Sequence, residues 1–294
     1  MIIKKISNLF LNEGVVLENN NNKSLMRIDR KLIINLFVKH GIIIFKNFNF
    51  KPKDLTKFTD KFTHRYANDA TRREIKFNNK KINTVDLGYN EMSLHSEASF
   101  SPSWPEILWF ICISPSIKSG FTTICDGSKI YEKLDYKTKQ FFLKNPIQYE
   151  LKIPFKKNLD PNSVILNKSK NDLKSWLLNS PGTFDTKISL KNGFIYTKYL
   201  KYAVVETKIP GVLSFCNHLL AVFGTDPQIL SCKLGNGDKI PKKIYEEIRR
   251  VTKKLTIEIK WKKNEICMID NRRFMHGRRA IKKNEKREIL IYKL

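Results

Sequence analysis

Apolar positions along the chain change period several times, and each change predicts an element. From Asp29 to Lys39 they fall at Leu32, Ile33, Leu36 and Phe37, the spacing of one helical face, and the block stops at Gly41. Asp29 is a suitable N-cap for that helix. Ile42 to Phe45 is a short unbroken apolar run, the pattern of a buried strand. Leu55 to Tyr66 predicts a second helix, and the polar stretch from Arg72 to Asn83 predicts a loop. Pro105 to Ile113 predicts a core strand, and Ser128 to Leu143 a helix that Asp126 could cap. Pro241 to Leu255 predicts a helix with proline near its start. Leu255 to Ile269 gives strand, turn, strand, and Lys286 to Tyr292 a terminal strand. Residues 1–24 read as a polar lead-in. Residues 151–200, rich in Lys and Asn with weak periodicity, read as an insertion or lid. No repeat or linker interrupts the chain, so one domain over 1–294 is expected.

Composition narrows this picture. A chain of 294 residues with 19 Phe can bury a sizeable core. Its net charge of +27 invites a nucleic-acid reading. The lysines, however, are spread along the whole chain, and only a clustered patch is informative. Lys, Asn and Ile are all enriched and all have AT-rich codons, which accounts for the charge without a nucleic-acid partner. The five cysteines lack CxxC spacing, which points to reduced thiols and a cytoplasmic protein. No signal peptide is evident. No apolar stretch approaches the roughly 18 residues of a membrane span.

The chemistry concentrates in two places. His95 and Glu97 stand in Leu94-His95-Ser96-Glu97, and His276 follows far downstream in Met275-His276-Gly277-Arg278. Two imidazoles and a carboxylate are the ligand set of a non-haem iron(II) oxygenase, with three metal positions left open. On a strand, residues i and i+2 share a face, so His95 and Glu97 are expected to grip one ion from one strand. An anionic cosubstrate then needs a cationic anchor. Arg287 lies 11 residues after His276, where Arg287, Ile289 and Ile291 share one strand face. A guanidinium there suits a carboxylate. Thr122, 27 residues after His95, could add a hydroxyl donor.

With these residues the chain resembles the TauD/TfdA group of iron(II)/2-oxoglutarate-dependent dioxygenases. The likeness runs from about Gly41 to the C-terminus. It is carried by Gly41-Ile42-Ile43-Ile44-Phe45, Leu94-His95-Ser96-Glu97, Trp104-Pro105-Glu106-Ile107-Leu108-Trp109, Gly120-Phe121-Thr122-Thr123, Asp270-Asn271, His276-Gly277-Arg278 and Arg287. The resemblance implies a mainly β fold with flanking helices, a double-stranded β-helix or jelly roll. It implies Fe(II) at His95, Glu97 and His276, 2-oxoglutarate at Thr122 and Arg287, and O2 as second cosubstrate. Most of the group carry Asp where this chain has Glu97. The HxE form is similar to a branch that includes clavaminate synthase and hydroxylases of nonribosomal peptide pathways. Because Glu97 is retained, halogenation is not expected. Ser119 stands where the group usually has Gly, a loop change.

The activity so implied is hydroxylation of an unactivated C–H bond in an amino acid or amino-acid-derived small molecule, in specialised-metabolite biosynthesis. Desaturation or cyclisation could use the same site. The alternatives are small-acid or sulfonate catabolism and, from another class, a nucleic-acid-binding or demodifying protein. Asn90, Asn217, His218 and Arg278 are the substrate-binding candidates. His218 could equally be a core residue, and Arg278 could grip a carboxylate or brace its turn. Met92 faces either substrate or packing. His40 and His64 read as structural. An acidic carrier protein is a further candidate partner, although a free substrate is favoured. The oligomeric state is not legible.

Overall fold

The structure is a computed structural model. It describes residues 2–5, 14–20, 24–51, 55–62, 73–85, 88–101, 104–154, 184–192, 194–222 and 229–293. In chain order the elements are β1 (Ile2–Lys5), β2 (Val15–Glu18), α1 (Arg30–His40), β3 (Ile42–Lys46), α2 (Leu55–Thr59), β4 (Ile75–Lys76), β5 (Asn79–Thr84) and β6 (Met92–His95). β7 (Ile107–Ser114), β8 (Thr122–Asp126), α3 (Gly127–Lys133), α4 (Tyr136–Lys144), β9 (Ile147–Pro154), β10 (Phe184–Lys191), β11 (Phe194–Lys201), β12 (Val204–Glu206) and β13 (Leu213–Phe215) follow. The chain continues with α5 (Leu219–Val222), β14 (Ile229–Leu234), α6 (Lys242–Leu255), β15 (Ile257–Ile259), β16 (Ile266–Asp270), β17 (Phe274–Arg278) and β18 (Glu288–Lys293).

Two facing sheets make the jelly roll. The larger has the order β1-β2-β3-β16-β7-β18-β5-β4, the smaller β15-β8-β17-β6. Strand alternation sorts the core into layers. On the larger sheet Ile42, Ile44, Leu108, Phe110, Cys112, Cys267, Ile269, Ile289 and Ile291 point inward. They meet Ile124, Ile257, Ile259 and Phe274 of the smaller sheet. The alternate residues Ile43, Phe45, Trp109, Ile111, Met268, Leu290 and Tyr292 pack outward, against Ile33 and Phe37 of α1 and Leu55 and Phe58 of α2. Behind the smaller sheet, Cys125 and Met275 meet Ile130 of α3, Phe142 of α4, and Ile248 and Val251 of α6. A third sheet, β10-β11-β9-β14, borders that last layer, to which Tyr149 and Tyr199 belong.

Local signals account for the element ends. Asp29 caps α1 by accepting from the backbone N–H of Lys31 at 3.0 Å. Gly41 closes it in the left-handed region at φ 68°, and a Cβ there would lie 2.6 Å from the Phe274 ring. Asp126 caps α3 through the N–H of Ser128. Pro241 stands at the N-cap of α6.

Four expectations change. The polar lead-in instead contributes β1 and β2 to the larger sheet; β2 runs parallel to β3 and buries Val15 and Leu17. Its apolar run was too short to stand out beside the Asn-rich segment. The Arg72–Asn83 loop is in its described part the β4–β5 hairpin, turning at Phe77 and Asn78 with positive φ. The Ser128–Leu143 helix is two helices, separated where Leu134 adopts an extended backbone. The 151–200 insertion includes the end of β9, β10 and most of β11. Residues 155–183, and His64 with the expected end of the second helix, lie outside the described residues. Among the described residues no helix is long and apolar enough to cross a membrane. All five cysteines are free thiols.

Candidate active site

β17 runs between β6 and β8, and this places the distal histidine. His276 is in register with His95 on one side and Ile124 on the other. Gly277 permits the close approach. A Cβ there would lie 2.5 Å from the Met92 carbonyl and 2.8 Å from the Thr123 hydroxyl. The two imidazoles are 4.4 Å apart between centroids, and the Phe110 ring stands edge-on to His276 at 5.1 Å.

Glu97 arrives by a different route from the one expected. β6 ends at His95, so Glu97 lies in a turn and does not share a strand with it. Ala98 follows with φ 52°. Asn271, fully buried between β16 and β17, holds this turn. Its Oδ1 accepts from the Glu97 N–H at 2.8 Å, and its Nδ2 donates to the Glu97 carbonyl at 3.0 Å and the Pro105 carbonyl at 2.8 Å. The Ser96 N–H donates to the Asn217 carbonyl. Hydrogen bonding to Asn271, rather than strand periodicity, therefore aims the carboxylate.

Ligand atoms of His95, Glu97 and His276 all lie within 4.8 Å of one another, and all three residues are buried. His95 Nδ1 contacts the Ser93 carbonyl at 2.8 Å, which as a donor leaves Nε2 as the free lone pair. Burial, with the neighbouring His95, lowers the His276 pKa to about 4, so this ring is neutral near pH 7. Burial alone would raise the Glu97 pKa. Arg73 and Lys293, helped by the two imidazoles, hold it well below the usual carboxylate range. Two imidazoles, that of His276 neutral, and one anionic carboxylate at this spacing fit a divalent cation with open positions.

These groups line a partly open pocket together with Arg73, Thr122, Arg278, Arg287 and an apolar wall that includes Val85, Phe110 and Ile291. The Thr122 hydroxyl accepts from Trp261 Nε1 at 2.8 Å and Arg287 Nη2 at 2.9 Å. Both lone pairs are used, so its proton is left to donate into the cavity. Among the described residues no carboxylate pairs with Arg287. Burial and then Arg278 lower its pKa to about 10. An anion seated there would offset both effects.

The other sequence candidates separate. Arg278 is on the cavity wall, braced by donation to the Asn90 carbonyl at 2.8 Å. The Asn90 side chain is exposed and takes no part in the lining. Asn217 is not in the lining either. Its side chain is consumed by the Ala203 carbonyl and the Leu219 N–H, as the start of α5 requires. His218 stacks edge-on to His95 and Phe100, and its Nδ1 contacts the Ser96 carbonyl. It backs the site from the core. Met92 lines the cavity. Arg73, Lys293, Asn271 and Trp261 were not anticipated. Of these, Lys293 carried a readable signal, being the next same-face position after Arg287, Ile289 and Ile291.

A barrel of this kind belongs to the class of dioxygenases that pair a non-haem metal with an anionic cosubstrate. Residues 3–291 match the profile of the "Taurine catabolism dioxygenase TauD, TfdA family", and the chain belongs to that family. As a member, it uses Fe(II), with 2-oxoglutarate and O2 as cosubstrates. No curated protein gives a sequence match. Among solved structures, the chain is similar to AAD-2 in complex with Mn(II) and N-oxalylglycine, at 15% identity and TM-score 0.62, covering 100% of this chain and 96% of that one. It is also similar to a taurine dioxygenase from Burkholderia xenovorans, at 12% identity and TM-score 0.61, covering 96% and 85%. PvcB from Pseudomonas aeruginosa, described as an Fe, α-ketoglutarate-dependent oxygenase from an isonitrile synthetic pathway, aligns at 12% identity and TM-score 0.58, again covering 96% and 85%. At such identities the likeness is one of fold.

Proposed function

We propose that the protein hydroxylates an unactivated C–H bond of an amino acid or amino-acid-derived small molecule. The observation that carries this reading is a part-buried guanidinium, Arg287, with no carboxylate partner among the described residues, facing the same cavity as the His95–Glu97–His276 cluster. In this reading the three cluster residues hold Fe(II). Arg287 and the Thr122 proton receive the far carboxylate of 2-oxoglutarate. Bound Fe(II) supplies the oxidising chemistry: one oxygen atom of O2 enters the C–H bond, the other enters succinate, and CO2 leaves. The chain positions and shields. Val85, Phe110 and Ile291 keep bulk water from the reacting groups. Arg278 on the cavity wall supplies positive charge for a substrate carboxylate. An amino-acid substrate meets that requirement, and the PvcB pathway is a biosynthetic precedent within the fold. We favour a free substrate over one tethered to an acidic carrier protein, because the positive charge of the chain is diffuse.

The test is direct. Protein loaded anaerobically with Fe(II) and 2-oxoglutarate is mixed with candidate amino acids, then exposed to O2. Succinate and singly oxygenated products are read by mass spectrometry. Turnover should vanish in His276→Ala, and full activity in that variant would refute the site. Oxidation of sulfonates or simple acids but not of amino acids would move the substrate to small-acid catabolism.

A further inference from the structure

The two oxygens of Glu97 have different surroundings. Oε2 faces His276 Nε2 at 3.5 Å and His95 Nε2 at 3.7 Å. Oε1 receives Arg73 Nη2 at 2.9 Å and Lys293 Nζ at 3.2 Å. Arg73 is also part of the cavity wall, whereas Lys293 is not. Lys293 reaches Glu97 from the end of β18, with its side chain 2% exposed. A lysine buried so completely is rare unless an anion accompanies it. Here Glu97 Oε1 is such an anion.

We infer that Lys293 is a positioning residue that makes Glu97 a one-oxygen metal ligand. This rests on the reading of His95, Glu97 and His276 as the metal site. An oxygen that already accepts from two cationic donors has no lone pair left for a metal. Only Oε2 is then presented to the space between the imidazoles. Two consequences follow from the charge and the geometry. The second carboxylate oxygen cannot occupy a coordination position that the cosubstrate needs. A fixed positive charge also sits behind the ligand, draws electron density from it and repels a divalent cation. The chain thus holds metal less tightly than the three ligands alone would, and keeps positions open.

These consequences predict opposite signs for two affinities. Metal-free wild type, Lys293→Met and Lys293→Arg are titrated with Mn(II), followed by electron paramagnetic resonance. The Mn(II)-loaded proteins are then titrated anaerobically with 2-oxoglutarate by calorimetry. Lys293→Met should bind Mn(II) about tenfold more tightly and 2-oxoglutarate about tenfold more weakly. Lys293→Arg, which keeps charge and donor, should behave as wild type. A Lys293→Met variant weakened in both affinities, as general damage to the fold would give, or changed in neither, overturns the inference. His276→Ala separates this from the underlying reading. Mn(II) binding that survives His276→Ala would overturn the metal site itself, and the inference with it.

Discussion

Two cations stand on one face of one strand and have opposite surroundings. Arg287, just before β18, and Lys293, its last residue, are six positions apart, roughly 20 Å of extended chain. Lys293 is buried against the Glu97 carboxylate. Arg287 is largely buried too, yet its hydrogen-bond partner is the neutral Thr122 hydroxyl, and its pKa falls to about 10. A buried cation with an internal anion belongs to the architecture. One without an anion is poised to receive a ligand that supplies it. This contrast supports the proposed reading, in which the Arg287 end serves the cosubstrate and the Lys293 end the scaffold of the metal site.

The comparison breaks most sharply if charges are removed. Glu97→Leu removes the buried carboxylate that Lys293 and Arg73 share. The metal-free protein should lose about 3–5 kcal/mol of stability, read by urea unfolding. Arg287→Leu removes a cation that has no carboxylate partner among the described residues, so metal-free stability should hold or rise slightly. 2-Oxoglutarate binding should weaken by about 2–4 kcal/mol, roughly 30- to 1,000-fold, with Mn(II) affinity unchanged. If Arg287→Leu destabilises the fold as much as Glu97→Leu, the two ends are equivalent and the comparison fails. The smallest effect concerns Trp261→Phe. Losing one donor to Thr122 frees that hydroxyl to rotate and should cost about 1 kcal/mol of 2-oxoglutarate affinity, near fivefold.

The same contrast explains what the sequence made legible. The jelly roll was readable because motif order resembles a known family, and single strands such as Ile42 to Phe45 from their apolar runs. The convergence of His95, Glu97 and His276 was readable from residue types and separation. The path of Glu97 was not: spacing of two suggests a shared strand, but β6 stops at His95 and the carboxamide of Asn271 takes over. Arg73 was hidden in a polar stretch, and Lys293 was marked only by its place on the face of Arg287, Ile289 and Ile291; composition cannot separate a solvated cation from a buried one. Asn90 and Asn217 misled for a related reason. A polar side chain near a site is as easily used by backbone, as Asn217 is by Ala203 and Leu219, as by a substrate.

Asn271 has a kinetic consequence. Its bonds to the Glu97 turn span 174 residues, and the His95–His276 register spans a similar length. Nothing local can assemble this cluster, because loop closure over such distances precedes every contact in it. The donor set should therefore be completed late in folding, after β17 has inserted between β6 and β8. A divalent ion would then bind only the closed barrel, slow its unfolding and leave the rate of early collapse untouched. The ion would act as a latch on a finished structure rather than as a nucleus for building it.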